Sequence, residues 1–126
     1  KKGFAQNYAS FVYEDVCREK MWEFSAANTW NFHFDKVGRY WGAKAGEIDI
    51  VGIDTANGNL VLGECKYTTS PKGLSVLHTL QEKSEAMLKL TQTKNVQYIL
   101  FSTAGFTQGL IDEAGKNSNI ILIKKL

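Results

Sequence analysis

Residues 46–67 read Gly-Glu-Ile-Asp-Ile-Val-Gly-Ile-Asp-Thr-Ala-Asn-Gly-Asn-Leu-Val-Leu-Gly-Glu-Cys-Lys-Tyr, a pattern of two apolar strands joined by a tight turn. The turn signal is the Asn-Gly pair at 57–58, which favours hairpins. Ionisable residues interrupt both strands: Asp49 lies in the first, and Glu64 and Lys66 lie in the second. A strand with a purely structural role would carry Val or Ile there, so we expect the hairpin to hold a functional site.

The two-residue period of a strand places these charged side chains together. Successive side chains point to opposite faces, so Glu64 and Lys66 share one face and Cys65 points away. If Asp54 pairs with Asn59 at the turn, counting back along both strands puts Asp49 directly opposite Glu64. A slip by one or two residues would instead bring Asp49 opposite a neighbour of Glu64. The pattern predicts one cluster of two carboxylates and an ammonium.

Such a cluster needs a compensating cation, because neighbouring carboxylates repel each other and partial burial adds a desolvation cost. Lys66 alone could satisfy it as a structural salt bridge. A hard divalent ion suits the second carboxylate better, since Mg²⁺ commonly takes one or two carboxylates together with water and substrate phosphate. A lysine beside the ion could stabilise a developing phosphorane or orient the attacking water. The pattern therefore favours a metal site.

Length and composition indicate one domain covering residues 1–126, with a single core. The chain is 44% hydrophobic and 22% charged, which is ordinary for a soluble globular protein. It has no apolar run of about twenty residues and no signal-peptide pattern, so we expect no membrane association and a cytoplasmic location. The first residue is Lys rather than Met, which suggests a piece of a longer polypeptide. A net charge of +2 permits DNA binding without demanding it.

The cysteines and histidines do not indicate a disulfide framework or a zinc site. Cys17 and Cys65 form no Cys-x-x-Cys pair, and His33 and His78 are isolated in the sequence. We expect both cysteines to be small buried hydrophobic residues.

Residues 4–22 are predicted to form an amphipathic helix whose apolar stripe packs on the core. The stripe consists of Phe4, Tyr8, Phe11, Val12, Val16 and Trp22. Asp15 projects near the middle of this stripe, and Glu14 lies on its flank beside Arg18. Periodicity alone therefore selects Asp15 as the acidic residue that the helix would bring to a site.

The rest of the chain alternates strands and helices. Alternating aromatic residues at 30, 32 and 34 predict a strand that a Gly turn ends. The later predicted elements are a helix from 74 to 90, a strand over 96–103, a short helix that Thr107 caps, and a strand over 120–123. This order predicts an α/β fold with a mixed β-sheet and helices on both faces.

Several residues outside the hairpin are candidates for contacts at the site. Arg39 and its neighbours Tyr40 and Trp41 could grip a phosphate and stack a base, although packing of this group on the core is the favoured interpretation. Glu47 is a candidate auxiliary ligand. Candidates for contacts to a nucleic-acid backbone are Lys72, Gln81 and Lys83, for which a solvated helix face is the alternative.

Asp49, followed after fourteen residues by Glu64-Cys65-Lys66, resembles the motif of the PD-(D/E)XK nuclease superfamily. The resemblance implies a restriction-endonuclease-like core and a metal-dependent DNA endonuclease. It implies that Asp49, Glu64 and the carbonyl of Cys65 hold Mg²⁺ or Mn²⁺, and that Lys66 activates or positions water and neutralises the transition state. It also selects Glu14, which follows an aromatic residue as in the family's aromatic-Glu pair, to complete the metal site through water.

Further local features look like the domain found after the P-loop in archaeal-type AAA ATPases, and this resemblance covers nearly the whole chain. They are Tyr13-Glu14, Gly38-Arg39-Tyr40-Trp41, 47–51, 63–67, Leu80 with Lys83, and Ser102 with Gly105-Phe106. The chain has no Gly-x-x-x-x-Gly-Lys-Ser/Thr sequence, so the ATPase would be an N-terminal domain. The expected partners are DNA and that domain, and a homodimer is one assembly that the chain could form. The alternative function is a non-catalytic DNA-docking or regulatory domain that retains the nuclease fold.

Overall fold

The computed structural model describes residues 4–126, in which helices and strands alternate along the chain. In order, the elements are α1 (Phe4–Ala26), β1 (Lys36–Gly42), β2 (Gly46–Asp54), β3 (Asn59–Lys66), α2 (Leu74–Glu82), α3 (Ser84–Thr91), β4 (Asn95–Ser102), α4 (Gln108–Lys116) and β5 (Ile120–Ile123). The strands form one sheet of order β1-β2-β3-β4-β5. The first three strands pair antiparallel, and β3, β4 and β5 pair parallel, which confirms the predicted mixed sheet.

The β2–β3 hairpin has the register that its turn residues predicted. Asp54 pairs with Asn59, and a 3-10 turn at Thr55–Asn57 joins the strands. The buried carboxylate of Asp54 accepts hydrogen bonds from the backbone and side-chain amides of Asn57 and from the side-chain amide of Asn59. Gly58 has a φ of 68°, a left-handed conformation that glycine adopts at no steric cost. Local turn chemistry thus fixes the register of the whole hairpin.

The sheet separates two layers of helices, as the sequence predicted. On one face, Cys17 and Met21 of α1 are buried in a cluster that includes Ile50, Val61 and Phe101. On the other face, α2, α3 and α4 cover the sheet through the buried side chains of Leu77, Leu80, Met87 and Leu110. No helix within residues 4–126 is long and apolar enough to cross a membrane.

The prediction that the apolar stripe of α1 packs on the core is wrong. Tyr8, Phe11, Val12, Val16 and Trp22 are exposed, with relative accessibilities between 42% and 61%, and the side chain of Phe4 lies outside the described residues. Cys17 and Met21 occupy the inner face instead. The sheet face beneath α1 is filled by large aromatic rings, so it leaves room for a compact Cys and a flexible Met rather than for further bulky residues.

The strand predicted from the alternating aromatic residues is also wrong. Residues 30–34 lie in turns and coil between α1 and β1, and Gly38, predicted to lie in a turn, lies inside β1. Asn28 and Asn31 have φ values of 55° and 61°, left-handed conformations that interrupt an extended chain. The aromatic side chains fold back onto α1, where the ring centroid of Trp30 lies 4.2 Å from that of Phe24. The alternation of aromatic residues at 30, 32 and 34 therefore reflects their packing against α1, and not a strand.

The predicted helix from 74 to 90 is divided into α2 and α3, and Lys83 lies between them. The backbone N–H of Lys83 donates to the carbonyl of Leu80, and its side chain extends to β2, where Nζ donates to the carbonyl of Glu47. The later elements agree with the prediction, because Thr107 caps α4 by accepting from the N–H of Leu110. The break at Lys83 brings a lysine to the strand that carries Asp49.

Candidate active site

The β2–β3 ladder opens beside Asp49. Its last paired residues are Ile50 and Gly63, and side-chain contacts continue beyond them. The N–H of Cys65 donates to Oδ2 of Asp49 at 2.9 Å, and the N–H of Asp49 lies 3.5 Å from Oε2 of Glu64. The structure therefore brings the carboxylates of Asp49 and Glu64 together at the open end of the hairpin.

A β-bulge in β2 sets the direction of Asp49. The pairing with β1 shifts by one residue, so that residues 49–50 both oppose Arg39. As a result, Ile48 lies in the core beneath α2 and α3, whereas Ile50 lies in the core beneath α1. Uninterrupted alternation would have placed these two residues on the same face. Bulges of this kind re-aim side chains and are common next to active sites.

Glu64 has a strongly perturbed carboxyl group. Burial raises its pKa to about 7, the charge of Asp49 adds to the increase, and Lys66 and Lys83 lower it only in part. Nζ of Lys66 lies 3.6 Å from Oε1 of Glu64, and the lysine side chain is 38% exposed. Burial and the charge of Asp49 thus disfavour the ionised form of Glu64, and a further cation at this site would favour it.

The helix α1 brings Glu14, and not Asp15, to the carboxylate pair. Burial and the charge of Asp49 raise the pKa of Glu14, while the charge of Arg18 lowers it. The side chain of Glu14 is 18% exposed, whereas that of Asp15 is 77% exposed and forms an ion pair with Arg18 at 2.7 Å. Periodicity selected Asp15 because the apolar stripe that it lies in faces outward.

Arg18 lies at the site, although the sequence pattern did not single it out. Its Nη1 donates to the carbonyl of Asp49 at 2.9 Å and lies 3.9 Å from Oε1 of Glu14. The arginine thereby ties α1 to the bulge. The spacing of Glu14 and Arg18, four residues apart on a helix, was the only local signal for this role.

Replacing Arg18 with alanine is expected to lower the free energy of unfolding by about 1.5–3 kcal/mol, because the bulge carbonyl loses a charged donor. Urea denaturation at pH 7 measures the change. Lys20→Ala is the matched control, since it removes a cation of the same helix whose ion pair with Glu23 is at the surface and is worth about 0.2–1 kcal/mol. Equal losses of unfolding free energy in the two variants would contradict a stabilising contact of Arg18 between α1 and the bulge.

Cys65 contributes backbone groups to the site. Its side chain faces α1, where a hydrogen bond with the thiol of Cys17 and burial raise the pKa of Cys65. Both cysteines are free and buried, as the sequence predicted. The thiol of Cys65 therefore stays protonated on the far side of the strand from Glu64 and Lys66.

The donor atoms at the open end of the hairpin suit a hard divalent cation. Within residues 4–126, no group of three or more His, Cys, Asp or Glu side chains is arranged to hold a metal ion. Asp49 and Glu64 offer carboxylate oxygens, a set that suits Mg²⁺ or Mn²⁺ with water as further ligands rather than a zinc site of nitrogen and sulfur donors. The raised pKa of Glu64 agrees with this fit, because burial and the charge of Asp49 disfavour the ionised carboxylate and a bound cation would favour it.

Comparison with solved structures finds two similar proteins, and this chain covers less than half the length of each. A repair endonuclease from Pyrococcus abyssi is similar with a TM-score of 0.56 and 18% identity, over 87% of this chain and 46% of that chain. An EndoMS complex with double-stranded DNA has a TM-score of 0.47 and 20% identity, over 84% of this chain and 42% of that chain. No curated protein gives a significant match.

The likeness to the Pyrococcus endonuclease confirms the restriction-endonuclease-like α/β fold that the sequence predicted. A family model also matches the sequence over residues 1–96. The chain belongs to that family, DUF234, whose description is "Archaea bacterial proteins of unknown function".

Proposed function

We propose that this chain is a DNA endonuclease that depends on Mg²⁺ or Mn²⁺ and hydrolyses phosphodiester bonds. The pairing of Asp49 with Glu64 at the open end of the hairpin, with Nζ of Lys66 3.6 Å from Glu64, is the observation that supports it. The fold adds support, since a solved structure that shares it is described as a repair endonuclease.

In this proposal, Asp49, Glu64 and the carbonyl of Cys65 hold the divalent cation, which supplies positive charge to the attacked phosphate when bound. The N–H of Cys65 fixes the carboxylate of Asp49 before substrate arrives, because the hydrogen bond is part of the folded hairpin. The partly exposed amino group of Lys66 positions the attacking water and neutralises charge on the phosphoryl oxygens. Glu14 orients water at the edge of the site.

The direct test is cleavage of supercoiled, linear, single-stranded and branched DNA with Mg²⁺, Mn²⁺ or EDTA. We expect nicking that requires the cation, together with calorimetric binding of Mn²⁺. No cleavage of any substrate and no Mn²⁺ binding would contradict the proposal. Binding of Mn²⁺ without cleavage would indicate that a partner domain is required, and the family resemblance makes an N-terminal P-loop ATPase domain the proposed partner.

A second candidate function is a non-catalytic DNA-docking or regulatory domain of a P-loop ATPase. Two observations favour it: Lys66 already pairs with Glu64, and residues 4–126 contain no three-residue acidic metal cluster. This function predicts DNA binding that EDTA and the Asp49→Asn substitution leave unchanged. A domain whose hairpin charges merely pair with each other would bind neither metal nor DNA.

A further inference from the structure

Trp41 is the most exposed of the large hydrophobic side chains that the structure describes, with 80% of its surface accessible. It lies on β1, one of the two edge strands of the sheet, where it pairs with Glu47 of β2. Tyr40 points to the opposite face and packs on the core beneath α2 and α3. Arg39, two residues before Trp41, is exposed and shares its face. The partly buried Tyr40 thus anchors a strand end that presents an indole ring and a guanidinium group to solvent.

Arg39 lies opposite the bulge at residues 49–50, which carries Asp49 of the candidate active site. Arg39 is close enough to Glu14 for its positive charge to lower the pKa of that carboxyl group, which Glu47 raises. Arg39, Trp41 and Glu47, together with Tyr40, line a surface cavity of about 330 Å³. A group bound in this cavity would therefore lie near Glu14 and near the bulge that carries Asp49.

The chemistry of the cavity matches a nucleotide with an exposed base. Aromatic side chains stack on nucleobases whatever the sequence, and a guanidinium group binds phosphate through its planar set of donors. The carboxylate of Glu47 can accept a hydrogen bond from an exocyclic amino group of the base. Bases in an intact duplex stack on each other, so only an unpaired nucleotide can offer its face to Trp41.

We propose that Arg39 and Trp41 bind an unpaired nucleotide, and that the DNA substrate carries a single-stranded segment next to the bond that is cut. Single-stranded DNA, a flap or a junction between a single strand and a duplex would meet this requirement, and a blunt duplex would not. The proposal rests on the proposed nuclease function, because it assigns the substrate class of that site.

The test compares Trp41→Ala, Trp41→Phe and Trp22→Ala on a Lys66→Met background, so that binding is read without cleavage. Fluorescence anisotropy with Mg²⁺ measures affinity for a labelled single-stranded oligonucleotide and for a blunt duplex of the same sequence. Trp41→Ala is expected to weaken single-strand binding about tenfold or more and to leave duplex binding unchanged. Trp41→Phe should restore most of the affinity. Trp22→Ala removes an exposed tryptophan from α1, outside the cavity, and should have no effect.

Unchanged single-strand affinity in Trp41→Ala would overturn the nucleotide site, and cleavage by the parent protein would still support the nuclease. Conversely, a loss of single-strand binding in Trp41→Ala would support the nucleotide site even if the parent protein cleaved no DNA. In that case only the proposed nuclease function would be contradicted. The dependence of single-strand affinity on salt concentration provides a second measurement. Arg39→Ala should reduce the slope of log affinity against log salt concentration if the guanidinium group contacts a phosphate.

Discussion

Replacing Lys66 with methionine is expected to slow metal-dependent DNA cleavage by at least ~10²-fold, which corresponds to ~3 kcal/mol of transition-state stabilisation. Methionine is an unbranched side chain that carries no charge. Within residues 4–126, Lys66 is the one cation that forms an ion pair with Glu64, and its side chain remains 38% exposed. The amino group can therefore face a phosphate while it stays next to the carboxylates. Initial rates of nicking at saturating Mg²⁺ measure the effect.

Two further variants separate catalysis from metal binding. Lys66→Met should still bind Mn²⁺ in calorimetry, whereas Asp49→Asn should lose both Mn²⁺ binding and cleavage because it removes a charged oxygen donor. Lys89→Met is the matched control, since it removes an exposed lysine of α3 and should leave the rate unchanged. Cleavage by Lys66→Met at the rate of the parent protein would contradict the role assigned to this lysine.

The pairing of Asp49 with Glu64 could be predicted because it depends on local chemistry. The side chain of Asp54 and the left-handed Gly58 determine the turn, and the two-residue period then carries the register to the charged residues. The order of strands and helices was likewise predictable, since each element after the hairpin has its own apolar pattern and boundary residues. Sequence thus located the two carboxylates and the lysine of the candidate site.

The contribution of α1 was not predictable from its own sequence. Which face of the helix is buried depends on aromatic residues that reach it from the 30–34 segment and from β4, such as Phe32 and Phe101. The helical wheel counts only the residues of the helix, so it selected the outward stripe and Asp15. The resemblance of the sequence to the PD-(D/E)XK superfamily selected Glu14 instead, and that residue faces the carboxylate pair.

The remaining site features depend on long-range contacts. Arg18 bonds to the carbonyl of Asp49 across 31 positions of the chain, and Lys83 bonds to the carbonyl of Glu47 across 36 positions. The bulge at residues 49–50 arises where β2 pairs with β1, and no turn or periodicity signal marks it. Such contacts become visible only when the packing of the whole sheet is known.

Replacing Glu64 with glutamine is expected to stabilise the metal-free protein above pH 7 by as much as about 3 kcal/mol. Burial and the charge of Asp49 raise the pKa of Glu64 from 4.5 to about 7 in the folded protein. Between these two values the folded protein retains a proton that the unfolded chain has released, so stability falls as the pH rises. The destabilisation is absent below pH 4.5 and fully present above pH 7. Glutamine stays neutral and removes it.

Urea denaturation in EDTA at pH 4 and at pH 8 measures this effect. The Glu64→Gln variant should be the more stable protein at pH 8 and should match the parent at pH 4. Glu82→Gln is the control, because it neutralises an exposed carboxylate of α2 and should change stability by less than about 0.5 kcal/mol at either pH. Equal stability of the parent and Glu64→Gln at pH 8 would contradict the expected cost of the buried charge on Glu64.

Adding Mg²⁺ to the same measurement tests why a destabilising carboxylate occupies this position. A ligand that binds only the folded state at a concentration 100 times its Kd stabilises the protein by about 2.7 kcal/mol, which is similar to the cost of ionising Glu64. The parent protein should therefore gain stability with Mg²⁺ at pH 8, and Glu64→Gln should not. A Mg²⁺ response retained by Glu64→Gln would instead show that the cation binds elsewhere. If the parent protein is less stable without the cation and regains stability with it, the pair of Asp49 and Glu64 is a cation site that lowers the stability of the metal-free protein.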